Sequence, residues 1–280
     1  MKLKKVLALA LAGMMCLSLA GLTGCSSKED DTKVLRVAME CAYAPFNWTQ
    51  SDDSNGAVPI SGSSDYAYGY DVMMAIELAE QMGYELEIVK MDWDALIPAL
   101  QSGSVDVVIA GQCITTDRAA QVDFSDPYYY AQIVALVKEG SGYETATGIS
   151  DLAGAVATSQ LGTVWYDTIL PQVEDIDLLP AQESVPAMLV ALDSGAVELV
   201  VTDQPTALAA CAAYPDMVML DFSDSDDGFV VSDEDVVMGI SVQQGNDALI
   251  AEINEMLSQY TADDYADMMA QAIEVQPLNQ

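Results

Sequence analysis

Apolar positions along this chain fall into a repeating rhythm of short strands and helices. Residues 34–39 (VLRVAM) alternate and predict a first strand, residues 86–89 a second. Residues 105–110 form a near-continuous apolar run, as expected of a parallel strand covered on both faces. Between the first two, Val72, Ile76, Ala79 and Met82 recur at helical spacing, with Asp71 placed to cap the helix and Gly83 to stop it. Residues 94–102 predict a short helix ended by Gly103, and the polar Gly/Ser/Asp-rich run 49–64 an exposed loop or hairpin. After Gly140 the rhythm restarts. Strands are expected at 156–159, 197–201 and 237–242, and helices at 163–170, 184–192, 205–213, 246–260 and 262–273. Strands alternating with helices predict an α/β fold, and two such runs predict two lobes, each a mainly parallel sheet flanked by helices. Ligands in such folds sit outside the carboxyl ends of strands, which is where residues 111–116 fall.

The N-terminus carries a different pattern. Lys2, Lys4 and Lys5 precede an apolar stretch at 6–19, followed by Leu22-Thr23-Gly24-Cys25. This predicts an export signal over residues 1–24, too short and wrongly flanked for a retained spanning helix. Leu-Thr-Gly-Cys resembles the lipobox of bacterial lipoproteins. The resemblance implies cleavage before Cys25, lipid (palmitate) on that cysteine and anchoring to the outer face of the cell membrane, with an ordinary secretory signal as the alternative. Residues 25–33 then read as a polar tether.

Charge and missing residue types exclude several functions. The chain has 44 Asp and Glu against nine Lys and Arg, and three of those nine lie in the signal. Such a field repels nucleic acid and anionic lipid, so no nucleic-acid partner is expected. At 51% hydrophobic with clear periodicity, the chain is nonetheless not disordered. Histidine is absent, which removes Ser–His and Cys–His nucleophile systems and most zinc sites. Cys41, Cys113 and Cys211 match no metal spacing. Neither metal nor cofactor is expected, and the chain argues against most hydrolases.

Against this acidity Arg118 is conspicuous, since Arg36 is the only other arginine. The segment 105–130 reads as a buried strand, a polar corner and a helix carrying Arg118. A guanidinium at a strand-to-helix corner, with free backbone N–H groups beside it, is a common way to hold a carboxylate. A surface charge paired with Asp117 or Asp123 is the plain alternative.

Seven short motifs follow one another in order: Tyr43-Ala44-Pro45-Phe46, Gly69-Tyr70-Asp71, the run 93–100 (WDALIPAL), Ile114-Thr115-Thr116-Asp117-Arg118, Phe124-Ser125-Asp126-Pro127-Tyr128-Tyr129, Gly162-Thr163 and Val200-Val201-Thr202-Asp203. Together they resemble the extracellular solute-binding proteins of polar amino acid ABC transporters, over nearly the whole chain after the signal. The resemblance implies a two-lobed Venus-flytrap fold (type II periplasmic binding protein), with lobe 1 formed by 34–131 plus 239–280 and lobe 2 by 132–238. Crossings between lobes are expected near 129–131 and 238–239.

The resemblance also implies roles. Arg118, backbone groups at Cys113 and the Gly162-Thr163 helix start would hold a ligand's α-carboxylate. Asp203 and the Gly111 carbonyl would hold its α-ammonium. Tyr43 and Trp93 would sandwich the side chain and Glu40 would read its far end, with Ala110, Gln160 and Val164 completing the site. On their own, Tyr43 and Trp93 also fit core packing, and Asp203 and Thr163 also fit helix N-caps. Cys113 stands where the family has a hydroxyl or small polar residue, so only its backbone contact carries over. Gln112 and the run 49–64 also depart from the family pattern.

The implied function is capture of an L-α-amino acid outside the cell, leaning toward a cationic or amide side chain, and delivery to ABC permease subunits driven by a separate ATPase. A lipid-anchored monomer on a Gram-positive surface is expected. Alternatives are a ligand-sensing lipoprotein, or a cyclohexadienyl dehydratase-like enzyme on the same scaffold with Glu40 as its acid.

Overall fold

A computed structural model describes residues 33–277. The signal, Cys25 and all of the tether but Lys33 lie outside the described residues.

Two five-stranded sheets carry the molecule. The first runs Glu85–Lys90, Val34–Met39, Val107–Val108, Val237–Gln243, Val122–Tyr130. Its first two ladders are parallel and its last two antiparallel. The second runs Asp177–Leu178, Val156–Thr158, Leu199–Asp203, Ile133–Lys138, Met217–Leu220, again with two parallel ladders followed by two antiparallel ones. The central strands are buried on both faces, Val37, Val107, Leu199 and Val200 being inaccessible to solvent, because helices cover them. A four-stranded antiparallel sheet extends the first unit, ordered Ala42–Tyr43, Asn47–Gln50, Tyr66–Tyr68, Val58–Pro59. Most of the polar run 49–64 therefore hangs from a small sheet.

Three departures from the pattern have physical causes. Asp71 does not cap its helix. The helix is Tyr70–Met82 with Gly69 at the N-cap, and Asp71 lies fully buried inside the first turn. Gly69 adopts φ 129, and a Cβ there would sit 2.3 Å from the Phe46 carbonyl oxygen, so only glycine fits. The helix expected at 163–170 is a π-helical turn, Trp165–Ile169, running into a 3-10 turn at Leu170–Gln172. Pro171 supplies no N–H at that junction, which favours the change of pitch. Finally, Val122–Tyr130 is a strand despite Asp123, Asp126 and Pro127. It sits at a sheet edge, where polar residues and proline cost little.

The chain passes between the two sheets twice. Tyr130 ends a strand of the first sheet and Ile133 begins one of the second. The return leads from Met217–Leu220 through the short helix Asp233–Val236 into Val237–Gln243. The two passages touch: Ala131 N–H donates to the Val236 carbonyl at 2.8 Å, and Tyr130 pairs with Val237.

Candidate ligand-binding site

A cleft between the two sheets is lined by Tyr43, Trp93, Gly111, Cys113 and Arg118 from one side and Gln160, Thr163, Val164 and Trp165 from the other. Eight of these nine were expected; Trp165 was not. Its only signal was an aromatic residue two positions beyond Gly162-Thr163. Glu40, Ala110 and Asp203 are buried and not part of this lining; Glu40 and Asp203 bond to it through Gln160 and Tyr43.

Arg118 is held by a one-turn helix, Thr116–Ala119, whose N-cap Thr115 accepts from the Arg118 N–H at 3.2 Å. The preceding loop is fastened to the returning passage. Ile114 N–H donates to Val237 O at 2.8 Å, Gly239 N–H to Gln112 O at 3.1 Å, and Thr116 donates to Glu234 through both N–H and hydroxyl. The guanidinium then donates to the Cys113 carbonyl at 2.8 Å and, across the cleft, to the Gly162 carbonyl at 3.0 Å. It lies 5.4 Å from the Trp93 ring, whose indole N–H donates to the same Gly162 carbonyl at 3.2 Å. Among the described residues the ion pairs are Arg36–Asp106 and Lys138 with Asp193 and Asp216, so Arg118 is not a surface charge paired with Asp117 or Asp123. Burial pulls its basicity below the usual arginine range. A cation with only carbonyls and a ring face around it is equipped to take an anion.

Asp203 ends the strand Leu199–Asp203 and is fully buried. One carboxylate oxygen caps the helix Gln204–Ala213, accepting from Thr206 N–H at 2.9 Å. The other accepts from the Tyr43 hydroxyl at 2.5 Å and from Thr202 at 3.3 Å. Asp203 is thus a cap whose other oxygen is tied to the cleft-lining Tyr43, and burial raises its pKa. Tyr43 stacks on Phe46 at 4.6 Å and lies against Gly111, where an added Cβ would meet the ring at 2.6 Å. It is therefore packed and cleft-lining at once.

Glu40 is buried and accepts from the Gln160 amide through both carboxylate oxygens, each at 3.0 Å. Burial is the main cause that pushes its pKa to about 7; the Gln160 bonds oppose the shift. Thr163 turns its hydroxyl back to the Gln160 carbonyl at 2.7 Å, closing the turn that carries Gly162. The Cys113 thiol donates to the Asp235 carbonyl at 3.4 Å, and burial raises its pKa to about 12. The side chain is engaged with the returning passage, as the sequence departure at this position suggested. Gln112 is buried and faces Ser241.

This cleft between two mixed sheets is that of a type II periplasmic binding protein. The chain belongs to the bacterial extracellular solute-binding proteins, family 3, whose profile matches residues 35–274. It is 30% identical over 268 residues to a probable histidine-binding protein of Neisseria gonorrhoeae, covering 92% of this chain and 91% of that protein. The crystal structure of the substrate binding protein of an amino acid ABC transporter matches with a TM-score of 0.70 at 27% identity, covering 86% of this chain and 99% of the other. An ancestral arginine-binding protein bound to arginine matches with a TM-score of 0.67 at 32% identity, covering 85% and 97%. The family is one of solute-binding transport proteins rather than enzymes, which sets aside the dehydratase alternative.

Proposed function

We propose that this chain is a receptor for an L-α-amino acid with a cationic or amide side chain, lipid-anchored through Cys25 on the outer face of the membrane, and that as a monomer it delivers its ligand to the permease of an ABC importer. One observation carries this reading. A half-buried cation, Arg118, on a one-turn helix beside the first sheet, and a buried anion, Asp203, at a strand end of the second, hydrogen-bond only to neutral protein groups. A zwitterion between them pairs both charges at once, which offsets the high cost of unpaired buried charge. Glu40, buried behind Gln160, supplies a further anion for a cationic far end, or with Gln160 a set of partners for an amide. The names of relatives that mention histidine and arginine agree with that lean. Among the described residues no helix is long and apolar enough to cross a membrane.

A thermal-shift screen against the twenty amino acids tests the ligand class, with stabilisation expected for arginine, lysine, histidine or glutamine. Stabilisation by acidic or aromatic amino acids alone would reject it. Metabolic labelling with a palmitate analogue tests the anchor: Cys25→Ser should abolish the label and release the protein into the medium.

A further inference from the structure

We propose that Asp71 and Tyr128 are positioning residues that hold two separate walls of the amino-acid cleft in register from behind, a role that rests on the binding site described above. Asp71 has no solvent exposure, and each carboxylate oxygen has one side-chain donor. Oδ2 accepts from Asn47 Nδ2 at 2.7 Å, and Oδ1 accepts from the Tyr128 hydroxyl at 2.7 Å. Each donor passes the constraint on. Asn47 Oδ1 accepts from the Cys41 N–H at 2.7 Å, fixing the bend between Glu40 and Tyr43, where Cys41 adopts φ 53. The Tyr128 hydroxyl accepts from the Gly111 N–H at 2.8 Å, fixing the bend where Gly111 adopts φ 62. Both bends place the backbone in the left-handed region, which cysteine adopts only at a cost. The Cys41 bend needs a restraint because it is strained and the Gly111 bend because glycine is free to leave it, and both obtain it from one carboxylate.

The chain of contacts continues into the ligand site. Tyr43 packs on Gly111, and its hydroxyl reaches Asp203. Asp71, Tyr128, Gly111, Tyr43 and Asp203 thus form one connected line from the helix Tyr70–Met82 beside the first sheet to the acid at a strand end of the second. Two features indicate positioning rather than bulk packing. Tyr128 already has an apolar role, stacked on Tyr70 at 5.7 Å, to which its hydroxyl adds nothing. The favourable place of an acid in the first turn does not need both carboxylate oxygens bonded to distant side chains, yet both are.

The test is amide hydrogen exchange without ligand, with affinity for L-arginine as a second readout. Tyr128→Phe keeps the ring and removes the hydroxyl. It should speed exchange at residues 109–114 at least tenfold, leave 40–44 and the second sheet unchanged, and weaken L-arginine binding at least tenfold. Asp71→Asn places an amide N–H₂ against one of two donors and should speed exchange at both 109–114 and 40–44. Unchanged exchange at 109–114 in Tyr128→Phe, or uniform acceleration across the whole first sheet, overturns the proposal. So does unaltered L-arginine affinity in a variant whose loop has loosened. If the wild-type protein does not bind L-arginine, the ligand class is decided by the thermal-shift screen and the exchange pattern alone decides this proposal. If Asp71→Asn does not fold, Tyr128→Phe decides.

Discussion

At the scale of single residues, the site is built from charges buried or half-buried before any ligand is considered. Replacing Arg118 by alanine removes one partner of a buried pair, and binding should weaken by roughly 3–5 kcal/mol. Isothermal calorimetry checks this, and unchanged affinity would remove Arg118 from the site. Glu40 has a pH signature whose sign follows from its raised pKa. A carboxyl with pKa near 7 here, against about 4.5 when exposed, favours this buried arrangement below about pH 4.5 and loses that contribution as pH rises through about 7. A cationic ligand reverses the preference, because it demands the ionised form. Its affinity should rise with pH toward about 7, with protons released on binding at about pH 6. Calorimetry in buffers of different ionisation enthalpy reads the release, and Glu40→Gln should abolish it. Arg118 was legible in the sequence because arginine is so scarce here. The Asp71–Tyr128 pairing was not, since Gly-Tyr-Asp ahead of a helix also reads as an ordinary cap and the two residues are 57 positions apart.

At the scale of elements, capping and turn chemistry decide which groups are free to act. Asp203→Asn keeps an oxygen for the Thr206 N–H but loses the charge. Because its amide N–H₂ then faces the buried Tyr43 hydroxyl, stability without ligand should fall by no more than about 1–3 kcal/mol, while ligand affinity falls sharply. A large loss of stability with normal binding would reduce Asp203 to a cap. Gly69→Ala should cost at least about 2 kcal/mol in denaturant unfolding, because it forces a side chain into a backbone oxygen at a φ that alanine avoids. The helices Tyr70–Met82, Val185–Asp193 and Gln204–Ala213 were readable from period and punctuation. Ile133–Lys138 and Met217–Leu220 were not. A short apolar run of that kind does not declare whether it is a central strand or a piece of core helix, and only the ladder partners settle it.

At the scale of the whole molecule, polar contacts bridge the two sheets at Glu40–Gln160, Tyr43–Asp203 and Arg118–Gly162. Each sets a charged group against a neutral one, so opening the cleft separates no ion pair among them. Solution scattering should therefore show a smaller radius of gyration with saturating ligand than without it, because a zwitterion adds charge-to-charge bonds across the same gap. An identical radius at saturation would exclude closure as the response to ligand. The α/β architecture and the two-run organisation were legible because they depend on local period. The equal share of parallel and antiparallel ladders was not, because it depends on strands returning from distant parts of the chain.

The two passages between the sheets leave from neighbouring, paired strands and are themselves joined at Ala131 and Val236. Mechanically they are two pins set side by side on one door. A single pin would permit twisting in any direction; two pins define a line, about which a body can swing but along which it cannot slide. The Arg118 loop is riveted to one of those pins through Ile114 and Gln112. If the door swings, such a line returns arginine and aspartate to the same opposing positions at each closure, and the spacing between them is set by the frame and not by the ligand.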